Sequence, residues 1–126
     1  MASQRRRPPE AIAQRSRQLL SNERVATNEI VRFELLTGYT DELAALVSFR
    51  LDSLELLNMN RTVWDETRLL ALRLKRAGLA QGLPDLLIAA TAIHYDAVLV
   101  HADSDFETIA QYSDLRSESY VDLAQA

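Results

Sequence analysis

The sequence predicts an α/β fold with a mainly parallel central sheet, flanked by helices, and three observations predict it. Segments of helical periodicity alternate with short apolar segments along most of the 126 residues. The run Ala97-Val98-Leu99-Val100-His101 is apolar and β-branched without alternation, the pattern of a strand buried on both faces. Between Thr62 and Ala77 a helical face of Val63, Leu70, Leu74 and Ala77 precedes Gly78.

The elements follow in order. Glu10 to Leu20 reads as a helix that contributes Ile12, Leu19 and Leu20 to a core, and Val25-Ala26-Thr27 as a short strand. Asn28 is placed to cap a second helix, Glu29 to Leu36, that stops at Gly38. Thr40 or Asp41 opens a third, with Leu43, Leu46, Val47 and Leu51 at core spacing, and Leu54 to Leu57 is a candidate strand. Thr62 and Asp65 resemble a capping box at the head of the next helix, and Arg73, Lys75 and Arg76 suit its C-terminal end. After a loop from Gly78 to Leu83, Pro84 suits the first turn of a helix running from Asp85 to Tyr95. The strand Ala97 to His101 leads through a turn, Ala102 to Asp105, to a helix around Phe106 to Tyr112 and an edge strand at Arg116 to Tyr120.

Composition narrows the function. With 48% hydrophobic and 25% charged residues the chain holds enough apolar material for one soluble domain with a real core, expected over residues 10–126. The absence of cysteine excludes disulfides, thiolate catalysis and cysteine-ligated zinc, and fits the cytoplasm. The most apolar stretch, Leu86 to Ile93, is too short to span a bilayer, so no membrane association is expected. The net charge of −4 conceals an asymmetry, because residues 1–24 carry +4 and the rest −8. Residues 1–9, with Arg5-Arg6-Arg7 ahead of Pro8-Pro9, read as a disordered basic arm. Such an arm beside an acidic body can draw phosphate toward carboxylates, or simply be a solvated basic face.

Candidate chemistry lies in acidic residues placed where a core is expected. With Ile30 at zero, Glu34 falls at about 40° around its helix and points to the core side, while Arg32 points away. Asp85 shares a stripe with Ala89, Ile93, Leu86 and Ala90. Asp103 and Asp105 lie just beyond the best strand, where ligands bind in parallel sheets. Each also has a structural reading: Asp85 complementing a helix dipole, Glu34 paired with an arginine, Asp103 as a turn residue. Together they suggest a divalent-metal site, since clustered carboxylates are costly unless a cation neutralises them. A network with Arg32, Arg68 or Arg73 is the competing structural account. His94 projects away from Asp85, and His101 reads as a lone structural residue. Serine-nucleophile, P-loop and GxGxxG signals are absent.

Three segments, Thr27 to Gly38, Gly82 to Ala92 and Leu99 to Phe106, resemble in order and spacing the PIN-domain ribonucleases, especially the VapC-type toxins of toxin–antitoxin pairs. The resemblance runs from about residue 10 onward and assigns the family's acidic positions to Glu34, Asp85, and Asp103 with Asp105. It implies Mg2+- or Mn2+-dependent endonucleolytic cleavage of RNA, with Asp85, Glu34 and Asp103 as metal ligands, a VapB-like antitoxin as partner, and a homodimer. His101 stands where the family has threonine or serine. The family also opens with an apolar central strand ending in a metal-binding aspartate, whereas this chain begins Met1-Ala2-Ser3-Gln4-Arg5. A start codon placed too late, or a gene shortened at its 5′ end, would account for this. Without that strand, sheet edges and helix faces would be exposed and metal binding weakened. The rival expectation is therefore an inactive remnant that binds an antitoxin without cutting RNA.

Overall fold

The computed structural model describes residues 10–20, 25–38 and 48–122. The elements are α1 (Glu10–Leu20), β1 (Ala26–Thr27), α2 (Glu29–Thr37), β2 (Glu55–Leu56), α3 (Arg61–Arg76), α4 (Leu83–His94), β3 (Val98–His101), α5 (Ser104–Gln111) and β4 (Arg116–Ser119). The basic arm of residues 1–9 and most of the helix expected from Thr40 lie outside the described residues. The end of that helix, residues 48–51, is helical, and Leu51 is fully buried.

α4 organises the core because its sequence is apolar on every side, so it can be surrounded. Leu86 to Ala92 are all buried, with α3 packed along one flank and α2, α5 and β3 on the others. Its seven-residue buried run includes Thr91, whose hydroxyl donates to the Leu87 carbonyl (2.6 Å) and so carries no unpaired donor inside. Leu70 and Leu74 of α3, Phe106 and Ile109 of α5, and Leu115 complete the cluster.

α3 begins one residue earlier than the sequence suggests, and its cap differs. Asn60, not Thr62, accepts the Val63 N–H (3.0 Å), while Asp65 pairs with Arg61 and Arg68 instead of closing a capping box. The buried face is Val63, Thr67, Leu70 and Leu74, and Ala77 is exposed because the helix ends there. Thr67 tolerates burial by donating to the Val63 carbonyl (2.7 Å). Gly78 adopts φ 79°, a left-handed conformation that lets the Leu79 N–H reach back to the Leu74 carbonyl (2.9 Å) and closes the helix.

Among the described residues all strand pairing is parallel. β1 pairs with β2, aligning Ala26 with Glu55 and Thr27 with Leu56, and β3 pairs with β4 from Val98–Arg116 to His101–Ser119. Among the described residues these are two separate two-stranded sheets. The expectation that β3 is buried on both faces is overturned: Val98 is 49% exposed, and only His101 is fully enclosed. The physical reason is that β3 has β4 on one side and no hydrogen-bonded strand on the other among the described residues.

α2 is anchored at its start. The Asn28 side chain accepts the Val31 N–H (2.9 Å) and donates to the Thr91 hydroxyl (3.1 Å), tying α2 to α4. Only Ile30 and Val31 reach the core cluster, and no residue of α2 is buried. At the other end of the chain, Arg15 of α1 binds both carboxylate oxygens of Glu118 in β4 (2.8 and 3.2 Å), with the Tyr120 hydroxyl donating to the same carboxylate (2.8 Å).

Candidate metal centre

Asp85 stands in the first turn of α4, and Asp103 caps α5 immediately beyond the end of β3. Asp105 lies in the first turn of α5. One carboxylate oxygen from each of these three residues lies within 4.8 Å of the others. Two helix N-termini therefore aim their partial positive charge at one acidic cluster, which offsets part of the repulsion.

Local bonds fix the Asp103 side of the cluster. The Asp103 carboxylate accepts the Asp105 N–H (2.9 Å), and its carbonyl accepts the Phe106 N–H (3.1 Å). Its own N–H donates to Nδ1 of His101 (3.2 Å). The turn reading of Asp103 and its place in the cluster are thus compatible, since only one oxygen is needed for the cap.

Electrostatics mark Asp85 as the strained member. Burial, then the charges of Asp103, Asp105 and Glu34, then a hydrogen bond with Asp105, push its carboxyl from 3.8 to about 6. Arg32, Arg68 and Arg73 do not relieve the repulsion. Arg32 pairs with Asp52 and Glu29, Arg68 with Asp65, and Arg73 donates to the Tyr112 carbonyl (3.2 Å), so the structural ion-pair account fails for these groups.

Glu34 departs from expectation. It is exposed, not turned into the core, and it does not join the cluster of three. The face computed for α2 is not the one the fold buries: Arg32, expected to point away, is only 22% exposed and pairs with Asp52, while Glu34 and Phe33 (67% exposed) face solvent and only Ile30 and Val31 pack on the core cluster. Glu34 still acts on Asp85 through its charge. Asp103 and Asp105 are also exposed, and Asp85 is half-buried, so the cluster opens to solvent.

The donor set fits a hard divalent cation: three carboxylates and no sulfur. The histidines do not join it. His94 Nδ1 lies 3.2 Å from Glu66, and burial holds the His101 imidazole below its ordinary value. The role of His101 as an anchor for Asp103 is invisible to composition or periodicity; the only sequence signal is a histidine two residues before an aspartate at a strand end. A cavity of ≈ 310 Å³ between α3 and the start of α4, lined mainly by Ala71, Leu74, Leu79 and Leu86, contains none of the carboxylates.

Comparison with known proteins places this geometry. Residues 8–112 match the PIN domain family model. Ribonuclease VapC11 of Mycobacterium tuberculosis is 35% identical over 109 residues, covering 82% of this chain and 81% of that protein. The VapC ribonuclease Mb1587 of Mycobacterium bovis shows the same identity and coverage. Among solved structures, VapBC2 from Rickettsia felis, bound to a DNA fragment from its promoter, superposes with a TM-score of 0.70 at 27% identity, covering 88% of this chain and 86% of that one. VapBC-1 from nontypeable Haemophilus influenzae gives a TM-score of 0.68 at 26% identity, over 90% and 87% of the two chains.

Proposed function

The chain belongs to the PIN-domain family, and from that premise we propose that it is a divalent-metal-dependent endoribonuclease, the toxin of a VapBC-type toxin–antitoxin pair. The observation that carries the reading is the convergence of Asp85, Asp103 and Asp105, with one ligand atom from each within 4.8 Å of the others. The relatives named as ribonucleases, and the structures titled as VapBC, support the activity and the partner.

In this proposal Asp85 and Asp103 hold Mg2+ or Mn2+, with Asp105 completing the oxygen set. A bound divalent ion supplies charge to stabilise the phosphodiester and lowers the pKa of a water for attack. The chain's own contribution is placement. The Asp105 N–H and the His101 ring hold Asp103 at the strand end, and the α4 N-terminus presents Asp85. The burial and neighbouring carboxylates that raise the Asp85 carboxyl to about 6 are what a divalent cation would offset, so a cation would compete with the proton for this carboxylate and its binding would strengthen as pH rises through that range. Glu34 adds negative charge from the exposed edge and reaches the site at longer range.

The proposed substrate is RNA and the proposed partner a VapB-like antitoxin, with the chain acting in the cytoplasm as a homodimer built on one domain. No helix among the described residues is long and apolar enough to cross a membrane. The test is cleavage of RNA with Mn2+: Asp85→Asn should abolish it with the far-UV spectrum unchanged, and retained cleavage would contradict the assignment.

A second reading, an antitoxin-binding module that does not cut, is favoured by one observation: β3 and β1 belong to separate sheets among the described residues, leaving a β3 edge open beside the cluster. Binding of an antitoxin without cleavage, measured on one preparation, supports this reading over the first.

A further inference from the structure

His101 is 8% exposed, yet one of its ring nitrogens has no partner among the described residues. Its ring packs on Phe106, with centroids 5.2 Å apart, at the junction between β3 and α5. Nδ1 receives the Asp103 N–H (3.2 Å), and a main-chain N–H can only donate. Nδ1 therefore carries no proton, and the hydrogen of the neutral ring sits on Nε2. That Nε2 is buried and has no hydrogen-bond partner among the described residues. Leaving a buried donor unpaired is unfavourable, so a histidine chosen only to fill space would be poorly chosen here; a phenylalanine would pack on Phe106 without the orphan. What the imidazole provides that a hydrocarbon ring does not is the acceptor at Nδ1.

We propose that His101 is a positioning residue: its Nδ1 acceptor fixes the main chain of Asp103 and so sets the Asp103 carboxylate against Asp85. Three bonds then run in series across the strand–helix junction. His101 holds the Asp103 N–H, the Asp103 carboxylate holds the Asp105 N–H, and the Asp103 carbonyl holds the Phe106 N–H. The next turn of backbone is thereby locked from the strand side as well as the helix side. Charged and polar neighbours of the ring do not take over this role: Glu107 is engaged by the Ser119 hydroxyl (2.7 Å), and Ser119 is the residue of β4 aligned with His101. The inference deepens the nuclease reading and rests on it only for the consequence at the metal.

Two substitutions separate acceptor from packing. His101→Phe keeps the ring and removes the acceptor. His101→Asn removes the ring but returns an oxygen at the place of Nδ1. The first measurement needs no metal: amide hydrogen exchange of Asp103 should be at least ~10-fold faster in His101→Phe than in the parent, and protected again in His101→Asn. The second is calorimetric titration with Mn2+ alone, where His101→Phe should weaken binding ~10-fold and His101→Asn should recover most of it, consistent with the usual loss when a supporting partner of a metal ligand is removed. Unchanged Asp103 exchange in His101→Phe, or a His101→Asn protein as unprotected as His101→Phe, overturns the proposal. If the parent takes up no Mn2+ while Asp103 exchange follows the acceptor as described, the positioning role stands and the nuclease reading falls.

Discussion

Replacing Asp85 by asparagine should make the metal-free protein more stable at neutral pH, although it removes a central residue of the site. Burial and the surrounding carboxylates lift Asp85 from 3.8 to about 6. Between these values the folded chain keeps a proton that the unfolded chain has released, so stability falls as pH rises through roughly 4 to 6 and then levels off. At 1.36 kcal/mol per tenfold change in proton affinity, the displacement corresponds to ~3 kcal/mol. Asp85 is only half-buried, and solvent and salt screen the repulsion, leaving ~1–2 kcal/mol in ordinary buffer. For a chain of 126 residues, with an unfolding entropy of about 2.1 cal/mol/K per residue, that is a rise in Tm of roughly 4–8 °C. The assay is thermal melting of parent and Asp85→Asn in EDTA at pH 4, 6 and 8, followed by circular dichroism. Titrating groups remote from Asp85 are common to both proteins and cancel in the difference, while Asp103, Asp105 and Glu34, coupled to Asp85, belong to the same acidic field that the substitution relieves. Asp85→Asn should melt with the parent at pH 4 and progressively above it at pH 6 and 8. A difference that does not change with pH, or a less stable variant at pH 8, would refute the argument that Asp85 sits in an unneutralised acidic field.

Asn28→Ala removes a cap bond to Val31 and the bond to Thr91, and should cost about 1–2 kcal/mol, read as a Tm lower by roughly 4–8 °C. Ile109, wholly buried in the core cluster, should cost about 2–4 kcal/mol when replaced by alanine, measured by urea unfolding with an unchanged m-value. Glu34→Gln should reduce Mn2+ affinity less than ~10-fold and less than Asp103→Asn does, because Glu34 reaches Asp85 only by charge; calorimetry on the two variants decides the order.

Much of the fold was legible because local chemistry and global packing agree. Asn28 caps α2 with its side chain and Gly38 marks its end, Gly78 closes α3, and the apolar circumference of α4 declares a helix surrounded by others. Two expectations failed for reasons that lie between elements. For Glu34 the computed angle assumed that α2 buries the face of Ile30, but which face of a helix is covered depends on its neighbours: Ile30 and Val31 pack on the core, Arg32 is half-buried against Asp52, and Glu34 is left exposed. The apolar run of β3 suits burial on both faces, yet strand burial depends on neighbours that no single segment encodes, and Val98 remains half exposed. The candidate site divides similarly. Asp85, Asp103 and Asp105 converge because two helix starts meet at a strand end, a position the order of elements already marks. The contact of His101 with the Asp103 N–H was not legible, since it depends on a ring orientation set by Phe106.

In the proposed site Asp85, Asp103 and Asp105 share one divalent cation. Anomalous scattering from crystals of the protein grown with Mn2+ measures this directly. A single strong peak is expected with carboxylate oxygens of Asp85, Asp103 and Asp105 at about 2.0–2.2 Å, lost in Asp85→Asn crystals. A peak on another surface, or none in the parent at Mn2+ concentrations that raise its Tm, would contradict it.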